Sequence, residues 1–105
     1  VCALDRGQSL PLPPAFAAAQ GALGALAMAL AKELGAAGVR VNAVSLGPLA
    51  GGLSTALPAR LSTDYETFSA LRRRGTAEEA ARAIVWMLLD AEFVTGRCLA
   101  ANGGL

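Results

Sequence analysis

The sequence predicts an α/β fold, and three observations carry that prediction. A long run with apolar residues at helical spacing is followed by a short β-branched segment between glycines, and a capped helix then precedes a second short extended segment. A helix, a tight turn and a buried strand make half of a crossover connection, which joins parallel strands. One domain covering 1–105 is the most this length supports.

The first helix is expected to start near Pro14 or Ala15, where a proline suits the first turn, and to run to Leu34, with Gly35 placed to stop it. Phe16, Leu23, Leu26, Leu30 and Leu34 recur at steps of three, four and seven, which predicts the inward face. Gly21, Ala22, Ala25 and Ala29 leave its other faces almost without bulk. Residues 39–45 hold Val39, Val41 and Val44 between Gly38 and Gly47, the pattern of a short buried strand. A Gly- and Pro-rich loop is predicted over 46–53. Residues 55–74 are interrupted by Pro58 and contain one short helix, with Tyr65, Phe68 and Leu71 on one face. Thr76-Ala-Glu-Glu79 has capping-box spacing and opens a helix to about Asp90, with Ala80, Ile84, Met87 and Leu88 facing inward. Gly96 breaks the chain before a final strand over 97–101, and Asn102-Gly-Gly-Leu closes it. Residues 1–4 supply a third strand if they pair at all.

Composition removes several function classes. The 105 residues are 54% hydrophobic and 16% charged with a net charge of +1, so there is no electrostatic footprint for nucleic acid or an anionic membrane. With no His, and with Cys2 and Cys98 at opposite ends, no metal ligand cluster and no disulfide framework can be assembled. The charge-free stretch 8–31 is the only one long enough to span a bilayer, but Pro11, Pro13 and Pro14 open it and Ala and Gly dominate the rest. No membrane association is therefore expected, and a packed body in the reducing cytoplasm is. The missing initial Met and the abrupt opening VCALDRGQS read as a cut edge of a longer protein.

The runs AFAAAQGALGALAMALAKELGAAGVRVNAVSLGP, GTAEEAARAIVWMLLD and FVTGRCLAANGG, in that order, resemble the C-terminal half of short-chain dehydrogenases/reductases, most closely the 3-oxoacyl-[acyl carrier protein] reductase type. The resemblance implies the C-terminal half of a Rossmann-type doubly wound parallel sheet, with two to three strands and three helices, incomplete without further chain or a partner. The family's chemistry uses a Tyr and a Lys four residues apart on one helical face. There the ammonium lowers the phenol pKa, and the phenol passes a proton to or from the substrate oxygen. Here that pair is Phe16 and Gln20, which can supply neither a hydroxyl nor a charge. The family's serine would fall near Ala3 or Leu4, with Ser9 a candidate only if the loop is shortened. No catalytic residue is therefore assigned.

In the same family a Pro-Gly turn after the strand brings backbone and a Thr hydroxyl to the nicotinamide and diphosphate of the cofactor. This chain keeps Gly47, Pro48 and Leu49, the residues assigned to cofactor binding, with Leu46 for the Pro and Gly51 near the Thr position. Ser54 or Thr55 is the available stand-in for that Thr. The terminal Asp-Gly-Gly appears as Asn102-Gly103-Gly104. The family's glycine-rich nucleotide turn does not occur in the sequence, so NAD or NADP is expected only if an N-terminal half or partner chain is present, and otherwise no cofactor.

The function expected is a catalytically degenerate homologue acting as an oligomer subunit or scaffold. The alternative is the visible part of a longer NAD(P)-dependent oxidoreductase acting on a carbonyl or 3-oxoacyl substrate with altered catalytic residues. Partners are expected to be further subunits, like or unlike, meeting through the helix from Phe16 to Leu34 and the C-terminal strand. Tyr65, the only tyrosine, and Trp86 read as packing, Arg72, Arg73 and Arg74 as a solvated run, and Cys2 and Cys98 as buried small hydrophobes.

Overall fold

A computed structural model describes residues 13–105. The expectations attached to Cys2, Ala3, Leu4 and Ser9, and to a strand over 1–4, lie outside these residues. The described chain runs α1 (Pro14–Leu34), a 3-10 turn (Gly35–Ala37), β1 (Ala43–Leu46), a second 3-10 turn (Gly52–Ala56), α2 (Ala59–Phe68), α3 (Ala77–Leu89) and β2 (Cys98–Ala101). β1 and β2 pair in parallel, Ala43 opposite Cys98 and Leu46 opposite Ala101, with α2 and α3 forming the crossover between them. This is the α/β arrangement that the sequence predicts.

Alternation along β1 builds two small cores. Ala43 packs on Ala27 of α1 with Val41 beside it, whereas Val44 meets Met87 of α3 and Ala91, with Leu46, Ile84 and Leu99 around them. A helix therefore lies against each face of the strand.

The inward face of α1 differs from the leucine stripe. The residues buried are Ala27 and Ala31, with Leu30 and Leu34 half-buried, while Leu23, Leu26 and Phe16 face outward, the last 43% exposed. The cause is close approach. Gly96, at φ 68°, sits so near that a Cβ there would stand 3.2 Å from the Ala31 Cβ, so α1 meets the sheet end through its smallest side chains. Pro14 occupies the first turn of α1, and after Leu34 Gly38 takes the left-handed conformation at φ 76°. Residues 14–37 are the one stretch among the described residues long and apolar enough to cross a membrane by length and composition.

In α3 the capping box forms as its spacing predicts. The Thr76 hydroxyl accepts from the Glu79 N–H at 3.2 Å, and the Glu79 carboxylate accepts from the Thr76 N–H at 2.9 Å. Ala80 and Met87 are buried and Ile84 is half-buried, but Leu88 is 64% exposed. It lies one step off the row 84, 87 and 91 that packs with Val44 of β1.

β1 begins four residues later than expected. Before Ala43, side chains tie the chain to the turn preceding β2: Asn42 donates to the Val94 carbonyl at 2.8 Å and accepts the Arg97 N–H at 3.0 Å, while the Val41 N–H donates to the Thr95 hydroxyl at 3.1 Å. Leu46, predicted as loop, closes the strand. Of the predicted face of α2 only Tyr65 is buried, since the helix ends at Phe68 and Leu71 lies beyond it.

Candidate functional site

The turn after β1 lies at the carboxyl end of the parallel strands, where open α/β sheets place their ligand crevices. It holds Gly47, Pro48 and Leu49 against the ends of β2 and α2. The Gly47 N–H donates to the Ala101 carbonyl at 3.2 Å, carrying the parallel ladder one residue past the strand. Beneath it Tyr65 is only 1% exposed, and its hydroxyl donates to the Asn102 carbonyl at 2.6 Å. A Cβ on Gly47 would stand 2.5 Å from the Tyr65 hydroxyl and 3.0 Å from the Asn102 Cα, so only glycine fits. Burial raises the Tyr65 pKa above its ordinary value, and the nearby Arg73 guanidinium partly opposes the rise. A phenol so placed stays neutral and holds the turn, which is the packing role expected of it.

The far side of the turn is tied down as well. The Gly75 N–H donates to the Pro48 carbonyl at 3.3 Å, and the Ala50 N–H donates to the Gly75 carbonyl at 2.8 Å. The Leu49 N–H donates to the Ser54 hydroxyl at 3.0 Å, and the Thr55 hydroxyl donates to the Gly52 carbonyl at 2.8 Å. Both candidate stand-ins for the family threonine are thus used locally. Asn102 keeps the terminal turn by accepting the Gly104 N–H on its side-chain oxygen at 3.1 Å, with Gly103 and Gly104 at φ 68° and 78°.

Between these elements lies an open pocket of about 200 Å³, lined by Gly47, Leu49, Tyr65, Leu71, Arg73 and Gly103 among others. Its one ion pair joins Arg73 to Glu79, with guanidinium–carboxylate distances of 2.6 and 2.9 Å. That bidentate contact, with the Thr76 N–H, lowers the Glu79 pKa to about 2. Phe16 and Gln20 stand on α1, and neither lines this pocket. The structure therefore gathers Gly47, Pro48 and Leu49 in one place and leaves the Phe16 and Gln20 pair on a separate element.

Three expectations need correction. Arg72 and Arg73 are exposed, as a solvated run implies, but the run is engaged at the surface: Arg74 pairs with Glu66 at 2.9 Å, Arg73 with Glu79, and Arg72 donates to the Thr67 carbonyl. These partners come from α2 and α3, so the arginines clamp the two helices about the pocket. Cys98 is exposed because β2 alternates and turns it outward. Trp86 is half-exposed on the outer side of α3.

One residue escaped the sequence reading entirely. Arg40 donates to the carbonyls of Met87 at 3.0 Å, Leu88 at 2.6 Å and Ala91 at 2.8 Å, satisfying the C-terminal end of α3. An arginine beside a predicted strand start signals this only if the helix end is already known to lie there.

Comparison with known proteins places these features in a family. Residues 3–105 match the family described as Enoyl-(Acyl carrier protein) reductase. An uncharacterised oxidoreductase of Bacillus subtilis is 37% identical over 105 residues, covering 96% of this chain and 41% of that protein. The 3-oxoacyl-[acyl-carrier-protein] reductase of Chlamydia trachomatis is 30% identical over 91 residues, covering 86% of this chain and 37% of the relative. Among solved structures, a blue fluorescent protein from a metagenomic library, in complex with NADPH, superimposes with a TM-score of 0.77 at 31% identity, covering 85% of this chain and 36% of that one. The chain spans about two fifths of the length of the curated relatives it matches. By the family match, and by a fold shared with these proteins, the chain belongs to the short-chain dehydrogenase/reductase family.

Proposed function

We propose that this chain is a catalytically degenerate member of its family whose role is structural, as a cytoplasmic subunit packed against another family member or a further copy. The observation that carries the reading is the α1 pair: Phe16 at the place of the family tyrosine has a phenyl ring that can neither give nor take a proton, and Gln20 carries no charge. The outward apolar side chains of α1, Phe16, Leu23, Leu26 and Met28, support an interface there, since a nearly charge-free helix face is costly to leave in water. β2 at the edge of the described sheet supports a second contact, and neither surface has the charge to favour nucleic acid.

A second reading is favoured by the coverage of the relatives: residues upstream would complete a nucleotide-binding half, and the whole would be an NAD(P)-dependent oxidoreductase of carbonyl or 3-oxoacyl compounds with altered catalytic residues. Gly47, Pro48 and Leu49 are then the residues nearest the cofactor. Native mass and NADPH binding on the naturally expressed protein separate the two. The first reading expects an assembly that does not consume NADPH with a 3-oxoacyl thioester, and none from the 105-residue chain after Phe16→Tyr and Gln20→Lys. Turnover by that double variant overturns it.

A further inference from the structure

We infer that the Gly47–Ala50 turn is closed against a nicotinamide nucleotide, because the Ser54 hydroxyl holds the one backbone N–H that an incoming acceptor oxygen could take. The inference rests on the reading that this turn stands where the family carries its cofactor turn. A full account of its donors leaves nothing over. Gly47 gives its N–H to Ala101, Pro48 has none, and Ala50 gives its N–H to Gly75. The Gly47 and Ala50 bonds join the turn to β2 and to the segment before α3, so neither can be released without opening the fold. Leu49 differs, since its partner is a side-chain hydroxyl five residues ahead in the second 3-10 turn.

A carboxamide or phosphate oxygen arriving at Leu49 would gain only the difference between its own hydrogen bond and the one already made by Ser54. The side-chain donors beside the turn are missing or engaged. Gly51 offers no hydroxyl where the family places one, Thr55 donates to the Gly52 carbonyl, and Arg73 is engaged bidentately by Glu79. The residues present therefore do not fit the family cofactor at this turn. What they build is a turn ordered by its own side chain.

The test follows the Leu49 amide by NMR hydrogen exchange in the naturally expressed, isotope-labelled protein, with and without NADPH. The unmodified protein is expected to show a protected Leu49 N–H that NADPH does not shift. Ser54→Ala should speed its exchange about tenfold, the worth of one partly buried hydrogen bond. Ser54→Thr should restore protection, which separates loss of the hydroxyl from a folding defect, and Thr55→Ala should leave Leu49 unchanged. Equal exchange with and without the Ser54 hydroxyl overturns the inference, as does an NADPH-dependent shift of Leu49 in the unmodified protein. A Leu49 amide unmoved while NADPH shifts amides elsewhere overturns the premise that this turn is the cofactor's seat, and leaves the Ser54 hydrogen bond standing.

Discussion

Replacing Gly47 by alanine puts a methyl group into occupied space. The added Cβ would lie 2.5 Å from the Tyr65 hydroxyl, 3.1 Å from the Tyr65 Cζ and 3.0 Å from the Asn102 Cα. Tyr65 is buried and its hydroxyl is held by the Asn102 carbonyl at 2.6 Å, so it has no free direction in which to retreat. Overpacking of this kind costs about 1–3 kcal/mol. Loss of the Tyr65 hydrogen bond adds roughly 0.5–1.5 kcal/mol, while the stiffer unfolded chain returns about 0.4–1 kcal/mol. At mid-range these sum to a net destabilisation of about 2 kcal/mol, which lowers the melting temperature of a domain this size by roughly 8–16 °C. Tyr65→Phe alone loses the hydrogen bond and little packing. In the double variant the nearest clashing atom is gone, so the two losses should fall short of their sum by at least about 1 kcal/mol. The assay is thermal and denaturant unfolding of the four proteins. Additivity within about 0.5 kcal/mol would refute the claim that the Tyr65 hydroxyl is what excludes a Cβ at residue 47.

Three further outcomes follow from the same geometry. The Glu79 carboxyl is lowered from 4.5 to about 2 by Arg73 and the Thr76 N–H, so its contribution is complete above pH 4.5 and is lost as pH falls towards 2; Glu79→Gln should flatten stability across that window in acid titration. Tyr65 has a raised pKa, so its contribution is complete below pH 10 and is lost as pH rises through the higher folded value. As the only tyrosine, it should show tyrosinate absorbance no earlier than the alkaline unfolding seen by circular dichroism. Arg40→Met should cost about 2–3 kcal/mol in urea unfolding, because the carbonyls of Met87, Leu88 and Ala91 lose a shared charged donor, and Arg40→Lys should recover only part, since an ammonium lacks the planar fork.

What the sequence made legible was local. The capping box of α3 could be read because Thr76 and Glu79 meet within one helical turn, and the end of α1 at Leu34 from Gly35, although Gly35 stays right-handed at φ −59° and the left-handed turn comes at Gly38. What it hid was set by partners distant along the chain. Arg73 and Arg74 read as solvated until α2 and α3 bring up Glu66 and Glu79, and Arg40 means little until the end of α3, about fifty residues on, lies beside it. Ser54 was legible as a hydroxyl near the turn. Its engagement with Leu49 was not, because the 3-10 turn that carries it back has no strong signal in Gly-Leu-Ser-Thr-Ala.

The misread face of α1 has a wider consequence. A stripe of leucines is the usual mark of a buried face, yet α1 meets β1 through Ala27 and turns Leu23 and Leu26 away from it. Of the eight buried apolar residues among those described, Ala27, Ala31, Ala43, Ala80 and Ala91 are alanines, each bringing a single methyl group to the core. Methyl-sized side chains remove little area from water, about 0.8 kcal/mol for each buried carbon, so the two-stranded body gains little from its own interior. The larger apolar residues, Leu26, Leu88, Leu89 and Phe93, lie outside it. Such a distribution leaves large apolar side chains uncovered among the described residues, and it supports the proposal that this body packs against further protein.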